Sequence, residues 1–284
     1  EHVVPHVVVN EAKGFVTSST THVHLLEAGA GLKGWKGCKS LQYLKDDAVL
    51  DWAKVSEVRD VRSESGWNAE LMTVLSPGWI AVGPDDNLTE RSWPLVPIAE
   101  YLETTPLGRA EWMIPMAWMA GDSSAGGNAF QEIQEAYLES VQEPLSKGKR
   151  VFTGTMADGV WYAPGSSSFV AEWIRDAGGE YSIGRSQDGE NVALGLESML
   201  QEAHECDAWV VMMHVPEGDF TLDDFKELEP HNHSLVEATE EVWLCNTADA
   251  DYFGALVPHP ERVLQDLADV MSGKEEGRFG LFTN

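Results

Sequence analysis

The chain has 284 residues, of which 47 are acidic and 19 are basic, so its formal charge is −28. Nucleic acids and anionic membranes are bound through clustered Lys and Arg, and this balance therefore argues against both partners. The 43% apolar content and the 11 Trp argue against disorder, and the length allows one large domain or two of about 100–150 residues each. The acid excess is typical either of an ordinary solvated surface or of adaptation to high salt, and composition leaves both interpretations open.

The three cysteines, Cys38, Cys206 and Cys245, form no C-x-x-C pair, which excludes a zinc ribbon and a thioredoxin motif. We expect three buried thiols, and a Cys206–Cys245 disulfide is the alternative in an oxidising compartment. No apolar run is long enough to span a membrane, and no basic-then-apolar leader precedes Glu1. A cytosolic protein and the mature form of an exported protein both fit this pattern.

The first segment has the pattern of a strand followed by a helix. Phe15-Val16 predicts a strand, and His24–Ala28 predicts a helix that ends at the following glycines. Between them lies the polar run 17–22, which is rich in N-capping residues. We expect Thr20, Thr21 and His22 in this run to face a ligand, whereas His24 is expected to pack or to cap the helix.

A helix–turn–strand pattern occurs twice, once in each half of the chain. Asn68–Leu75 and Leu194–Ala203 predict helices, and the strands Trp79–Val82 and Trp209–Met213 follow them. This internal similarity indicates two related α/β lobes with mainly parallel sheets.

Two helical patterns lie between these lobes, at Pro106–Met119 and at Asn128–Leu145. The second is long enough to run along both lobes and join them. The sequence therefore predicts an N-terminal lobe at 1–122, a single long linker helix within 123–147, and a C-terminal lobe at 148–284.

The C-terminal half continues the alternation of strands and helices. We expect strands at Arg150–Gly154 and Glu241–Cys245, a loop at Gly159–Ser168, and helices at Phe169–Asp176 and Pro260–Met271. In such folds ligands bind at the carboxyl ends of the strands.

Aromatic residues are placed in what read as loops at strand ends, where they more often line a pocket than fill a core. The predicted ligand-binding aromatics are Trp35, Trp67, Trp161, Tyr162, Tyr252 and Phe253. Ser166 and Ser167 lie beside two of them and are expected to supply hydrogen bonds.

Several catalytic motifs are absent from the sequence: there is no P-loop, no G-x-G-x-x-G helix start and no G-x-S-x-G elbow. Two enzymatic alternatives stay open at this point. One is a hydrolase that uses Ser167 as its nucleophile, and the other is a metal site made by His231 and His233 with Asp249 or Asp251.

Five segments, taken in chain order, resemble the ABC-transporter substrate-binding proteins for iron-siderophores, haem and vitamin B12. They are Val16–His22, Asn68–Pro77, Trp161–Ser168, Asp176–Tyr181 and Pro258–Leu267. The resemblance covers nearly the whole chain in the right order. One departure is Gly78, where the family usually has Asp.

The resemblance implies a non-enzymatic, monomeric binding protein that is exported and is either periplasmic or lipid-anchored. It implies capture of a ferric siderophore or similar chelate in a cleft between two lobes, with no intrinsic cofactor. It further implies that Glu70 and Glu197, one in each lobe, dock on the ABC permease. Alternatives are a haem or cobalamin ligand, with His22 or Tyr162 on the haem, or a bare divalent metal.

Cations near the predicted loops are few, namely Lys36, Lys39, Arg62 and Arg185. Tris-catecholate siderophores are anionic and need basic groups around them. A less charged ligand, such as a hydroxamate siderophore, therefore remains open.

Overall fold

Strands and helices alternate along the chain, as the sequence predicts for an α/β protein. The structure, a computed structural model, describes residues 9–64, 66–83, 86, 93–142, 148–157, 160–183, 191–215 and 220–282. The chain divides into two compact units. The first comprises Glu1–Tyr101, Gly108–Ile133 and Asp251–His259, and the second comprises Leu102–Leu107, Gln134–Ala250 and Pro260–Asn284.

The first half of the chain supplies short strands, and all those in the described residues have four residues or fewer. They are β1 (Phe15–Thr17), β2 (Trp35–Cys38), β3 (Arg59–Asp60), β4 (Arg62–Ser63), β5 (Gly66–Trp67), β6 (Trp79–Val82) and β7 (Leu95–Pro97). The helices of this half are α1 (Thr20–Ala30), α2 (Asp47–Val55), α3 (Ala69–Leu75), α4 (Pro106–Glu111), α5 (Met113–Met119) and α6 (Ala125–Ser140).

The main sheet of the first unit is parallel, with strand order β3-β2-β1-β6-β7. Every residue of β1 and β6 is buried, as expected for central strands covered on both faces. The rings of Phe15 and Trp79 stack 4.9 Å apart on neighbouring strands. Because all the strands point the same way, the residues that follow them meet at one carboxyl edge.

The second half of the chain supplies the elements of the second unit. The strands are β8 (Arg150–Phe152), β9 (Thr155–Ala157), β10 (Val160–Ala163), β11 (Glu180–Tyr181), β12 (Val192–Gly195), β13 (Ala208–Met213), β14 (Glu241–Asn246) and β15 (Phe279–Phe282). The helices are α7 (Phe169–Asp176), α8 (Leu196–Ala203), α9 (Leu222–Leu228), α10 (Asn232–Ala238) and α11 (Pro260–Ser272).

The main sheet of the second unit has the order β11-β8-β13-β14-β15 and is parallel except for β15. A small antiparallel sheet, β12-β10-β9, lies in the segment that follows β8. The prediction of a loop at Gly159–Ser168 is therefore wrong for Val160–Ala163, because these residues form β10.

The stretch predicted as a linker helix forms α6, whose bounds are Ala125–Ser140 rather than Asn128–Leu145. Its first part belongs to the first unit, up to Ile133, and its remainder belongs to the second. Residues 143–147 of the predicted helix lie outside the described residues.

The single helix predicted at Pro106–Met119 is instead two helices, α4 and α5, that meet at Trp112. Pro115 explains the break, because its ring would clash with the carbonyl of Glu111 in a continuous helix. In the first turn of a new helix a proline is tolerated.

The segment Asp251–His259 groups with the first unit, whereas the sequence placed it in the C-terminal lobe. The hydroxyl of Thr21 donates a 2.6 Å hydrogen bond to the carbonyl of Phe253, and Val257 is buried in the core of the first unit. These contacts join residues more than 200 positions apart, which local sequence patterns do not reveal.

All three cysteines are buried free thiols, so the alternative Cys206–Cys245 disulfide is not formed. Burial raises the pKa of the Cys245 thiol to about 12, which keeps it protonated at neutral pH. In the described part of the chain, no helix combines the length and the apolar character needed to cross a membrane.

Candidate functional site: the carboxyl edges of the two sheets

A polar loop closes the carboxyl edge of the first-unit sheet between β1 and α1. The amide of Ser18 donates to the carbonyl of Ala81 at 2.9 Å, which ties the loop to β6. Ser19 caps α1, and its hydroxyl accepts a 3.2 Å hydrogen bond from the amide of Thr21. The loop is therefore held on both sides, as the run of capping residues predicts.

The three residues predicted to face a ligand from this loop differ in their exposure. Thr20 is half-buried and open to a ligand. Thr21 is buried, and its hydroxyl is already donated to Phe253. His22 is only 2% exposed. This burial argues against direct ligand contact by His22, and the hydroxyl of Thr21 fixes the Asp251–His259 segment.

Burial lowers the pKa of His22 from 6.5 to about 4, although nearby Asp86 and a backbone hydrogen bond with Ala81 act in the opposite direction. The imidazole is therefore neutral at neutral pH. Its Nδ1 is buried without a hydrogen-bond partner. The buried, neutral ring of His22 therefore packs within the loop and is not exposed to a ligand.

We expect His22 to make folding stability depend on pH. Its folded pKa lies below its unfolded pKa, so as pH falls the unfolded chain takes up the proton first, and stability is lost between about pH 6.5 and about pH 4. The loss from this group is about 3 kcal/mol. Denaturant unfolding of His22→Gln between these pH values is expected to show a flatter profile than the parent.

His233→Gln is the matched control for this experiment, because His233 is exposed on α10, where it pairs with Glu237 at 3.2 Å. Its profile is expected to follow that of the parent protein. If the stability of His22→Gln depended on pH as strongly as that of the parent, buried His22 would not be the source of the pH dependence.

Lys39 and Asp86 form an ion pair at this edge that the sequence analysis did not single out as a pair. The ammonium of Lys39 lies 2.7 Å from Oδ1 of Asp86 and 5.2 Å from the centre of the Trp67 ring. The other carboxylate oxygen, Oδ2, accepts a 3.1 Å hydrogen bond from the amide of Gly83. Burial raises the pKa of Asp86, but the bonds from Lys39 and Ser18 outweigh this, so the net pKa is lowered.

Trp35 and Trp67, which the sequence predicts to line a pocket, are buried core residues. The Nε1 of Trp35 donates to the hydroxyl of Thr17 at 3.1 Å, and its ring stacks on Trp52. Trp67 lies in β5 and packs edge-on against Trp93. Both belong to strands rather than loops, which explains their burial.

Tyr252 and Phe253 are adjacent but have different environments. Tyr252 is buried, which argues against its predicted ligand contact, whereas Phe253 is 60% exposed. Their rings meet edge-on at 5.2 Å. Phe253 is thus the predicted ligand-binding aromatic of the first unit that a ligand can reach.

Trp161 and Tyr162 alternate between the two faces of β10. Trp161 is 0% exposed and packs 5.5 Å from Trp209, whereas Tyr162 is 44% exposed. Gly154 makes this packing possible. It has φ +131°, and a Cβ there would lie 2.6 Å from Nε1 of Trp161. The full burial of Trp161 argues against its predicted ligand contact, whereas the contact of exposed Tyr162 remains a prediction.

The serine run after β10 starts helix α7. Ser168 is the N-cap, and its hydroxyl accepts a 3.2 Å hydrogen bond from the amide of Ala171. The carbonyl of Ser166 accepts a bond from the Arg175 guanidinium. Ser167 is exposed, and within the described residues no hydrogen bond joins it to a histidine.

The described residues contain no group of three or more His, Cys, Asp or Glu that could hold a metal ion. His233 pairs with Glu237 on its own helix, and Asp251 lies 3.3 Å from His24 in the first unit. The alternative metal site built on His231 and His233 is therefore wrong for the described part of the chain.

An apolar cavity of about 280 Å³ lies in the second unit, a feature that the sequence analysis missed. Its walls come from β9, β13 and helices α9 and α10, and include Met156, Trp209, Met213, Phe225 and Leu228. The signal in the sequence was the alternation of Trp209, Val211 and Met213 along one face of β13.

The two glutamates expected to dock on a permease occupy equivalent positions in the two units. Glu70 lies in the first turn of α3 and Glu197 in the first turn of α8. Both are exposed. Each helix leads into a central strand of its own sheet, β6 or β13, as the internal similarity predicts.

The fold is that of the two-lobe periplasmic binding proteins of the type that the sequence resembles, which confirms the predicted fold class. No family model matches the chain. A periplasmic haem-binding protein from Pseudomonas aeruginosa matches 96% of the chain and 98% of its own, with a TM-score of 0.67 and 13% identity. The siderophore-binding protein FhuD from Vibrio cholerae, solved with Fe³⁺–Desferal, matches 91% and 98%, with a TM-score of 0.61 and 15% identity.

A relative in sequence is an uncharacterized lipoprotein of Methanocaldococcus jannaschii, 25% identical over 272 residues. The match covers 90% of this chain and 64% of that protein, so the chain spans about two-thirds of its length. The two solved structures are named as binding proteins.

Proposed function

We propose that the chain is the substrate-binding component of an ABC importer and captures a metal chelate of the iron-siderophore kind. The observation that carries the proposal is the match of the fold, over nearly the whole chain, to binding proteins named for haem and siderophore ligands. The siderophore class and the importer are inferences from that likeness.

The groups that remain accessible at the carboxyl edges suit a bulky, partly apolar guest. In the first unit these are Phe253 and the hydroxyl of Thr20, and in the second they are Tyr162 with Ser166 and Ser167. An exposed aromatic ring covers an apolar face of a ligand, and a hydroxyl bonds to its polar rim. This set is smaller than the aromatic wall expected from the sequence.

Buried His22 is not available as an axial ligand of haem iron, since its side chain is enclosed. Tyr162 is exposed and is the remaining predicted residue with an oxygen that suits ferric iron. Haem and cobalamin are therefore included as alternative ligands in the binding experiment described next.

The experiment is a titration of tryptophan fluorescence with four probes: ferrichrome, ferric enterobactin, haem and cyanocobalamin. The proposal predicts saturable, one-to-one binding of at least one probe, with the metal remaining in its chelate. Binding of none of the four, or turnover of any of them, would overturn the proposal.

We propose that the exported protein docks as a monomer on its permease through Glu70 and Glu197, and that it works in the periplasm or as a lipid-anchored protein. The support is the exposure of both glutamates, their equivalent positions in the two units, and the description of the archaeal relative as a lipoprotein. Carboxylates at a docking surface mainly steer and orient a basic partner.

The double variant Glu70→Lys with Glu197→Lys is expected to bind chelate as the parent does. It is also expected to abolish chelate uptake in cells whose only copy is the variant, because both contacts become repulsive. Radioactive iron supplied as the chelate measures uptake. Glu132→Lys, an exposed change on α6, is the control and should transport normally. Normal uptake by the double variant would exclude this docking surface.

A further inference from the structure

We infer that the binding site selects uncharged chelates and rejects polyanionic ones, because the described cations that follow the strands of the first-unit sheet are matched by carboxylates of the same unit. The inference rests on the proposed function. It concerns ligand charge, which the comparisons with known structures leave open.

Lys39 is the cation most directly placed at this edge, since it comes immediately after β2. Its ammonium is held 2.7 Å from the carboxylate of Asp86, and the Trp67 ring covers it at 5.2 Å. The lowered pKa of Asp86 keeps this carboxylate ionised at neutral pH. The pair as a whole therefore presents no net charge to a ligand.

Other cations near the edge are matched in the same way. Arg62 lies 3.3 Å from Asp60, and exposed Lys45 interacts with the carboxylate of Asp251. Arg109 is buried and interacts with buried Glu100, so it is not accessible to a ligand.

Two further cations singled out in the sequence do not change this balance. The ammonium of Lys36 donates to the carbonyl of Leu75 at 3.1 Å. It also lies near Gly14, which precedes β1 and so marks the opposite, amino edge of the sheet. Arg185 lies outside the described residues.

The cation that reaches the carboxyl edge of the second unit in the described part of the chain is also matched: the guanidinium of Arg175 donates to the carbonyl of Ser166 and interacts with the carboxylate of Glu172. The described segments that follow β8, β13 and β14, at 153–157, 160–168, 213–215 and 246–250, contain no Lys or Arg, and Asp249 adds an acidic group. A trianionic tris-catecholate bound here would lose its hydration without gaining a counter-charge, against a protein charge of −28.

The test compares the affinities of the same four probes. Ferrichrome and cyanocobalamin are uncharged, whereas ferric enterobactin and haem carry negative charge. We expect the tightest ligand to be an uncharged one, and to bind at least about tenfold more tightly than either anionic probe, which corresponds to about 1.4 kcal/mol. High salt should narrow the gap, because screening weakens the repulsion.

Asp86→Asn tests the cause, since it frees the ammonium of Lys39. We expect the variant to bind the anionic probes more tightly, so that the difference in affinity between uncharged and anionic probes becomes about tenfold smaller. The matched control is Asp51→Asn, which breaks the exposed 2.8 Å pair with Lys54 on α2 and should leave the gap unchanged. The salt series on the parent protein keeps the test decisive if Asp86→Asn does not fold.

Two failures are distinguishable. If ferric enterobactin or haem binds at least as tightly as the uncharged probes, or if neither salt nor Asp86→Asn changes the gap, the inference is overturned and the proposed function stands. If no probe binds, the proposed function fails and the inference fails with it.

Discussion

Replacing Trp161 by alanine is expected to lower the stability of the second unit by about 3–5 kcal/mol, because it empties a site in the aromatic core. Its ring is fully buried and lies 6.0 Å from Phe152 and 5.5 Å from Trp209. Thermal unfolding followed by circular dichroism should show a melting temperature lower by about 10 °C.

Tyr162→Ala is the control for Trp161→Ala, because it changes the next residue of β10 on the opposite, exposed face. We expect its melting temperature to stay close to that of the parent, as for most surface substitutions. If Trp161→Ala kept full stability but no longer bound chelate, Trp161 would be a ligand contact, as the sequence analysis first indicated.

The second large effect is expected on ligand affinity, from Phe253→Ala and Tyr162→Ala. Each change removes an aromatic residue that is exposed in the free protein, Phe253 to 60% and Tyr162 to 44%, and that we expect a chelate to cover. Burying such a ring contributes about 1.5–3 kcal/mol, so each variant should bind the best probe roughly tenfold to a hundredfold more weakly. Fluorescence titration measures the dissociation constants.

Trp118→Ala is the matched control for the two aromatic variants. Trp118 is 63% exposed on α5, close to Gly121, and Gly121 lies against Glu11 ahead of β1. This position is at the amino edge of the first-unit sheet, so chelate affinity should not change. Parent-like affinity in both Phe253→Ala and Tyr162→Ala would contradict the proposed contacts.

Patterns within short stretches of sequence predicted much of the fold. The strand Trp79–Val82 and the helix Phe169–Asp176 form as expected. In both cases the signal is local, because a run of apolar residues reports a buried strand and Ser168 caps the helix that it precedes. The equivalent positions of Glu70 and Glu197 were visible for the same reason.

The candidate site was less predictable, because it depends on which face of a strand is buried. Trp35 follows Gly34, and Trp161 lies in a short segment between Gly159 and Pro164, so both resemble loop residues, yet both lie in strands and are buried in a core. Short strands flanked by such residues give too few positions for the two-residue alternation to be recognised.

Contacts between distant parts of the chain were not predictable at all. Lys39 meets Asp86 across 47 positions, and Thr21 meets Phe253 across 232. The first contact joins residues that follow β2 and β6 of the sheet, and the second joins α1 to the Asp251–His259 segment. They decide which predicted residues remain accessible and how the charge at the carboxyl edge is balanced.

The most direct test of the central claim is native mass spectrometry of the whole chain mixed with the four probes. We expect a complex whose mass exceeds that of the free protein by one intact chelate, metal included, and which returns to the free mass on gentle activation. Bound iron without its chelate, a covalently altered probe, or free protein alone would contradict the account.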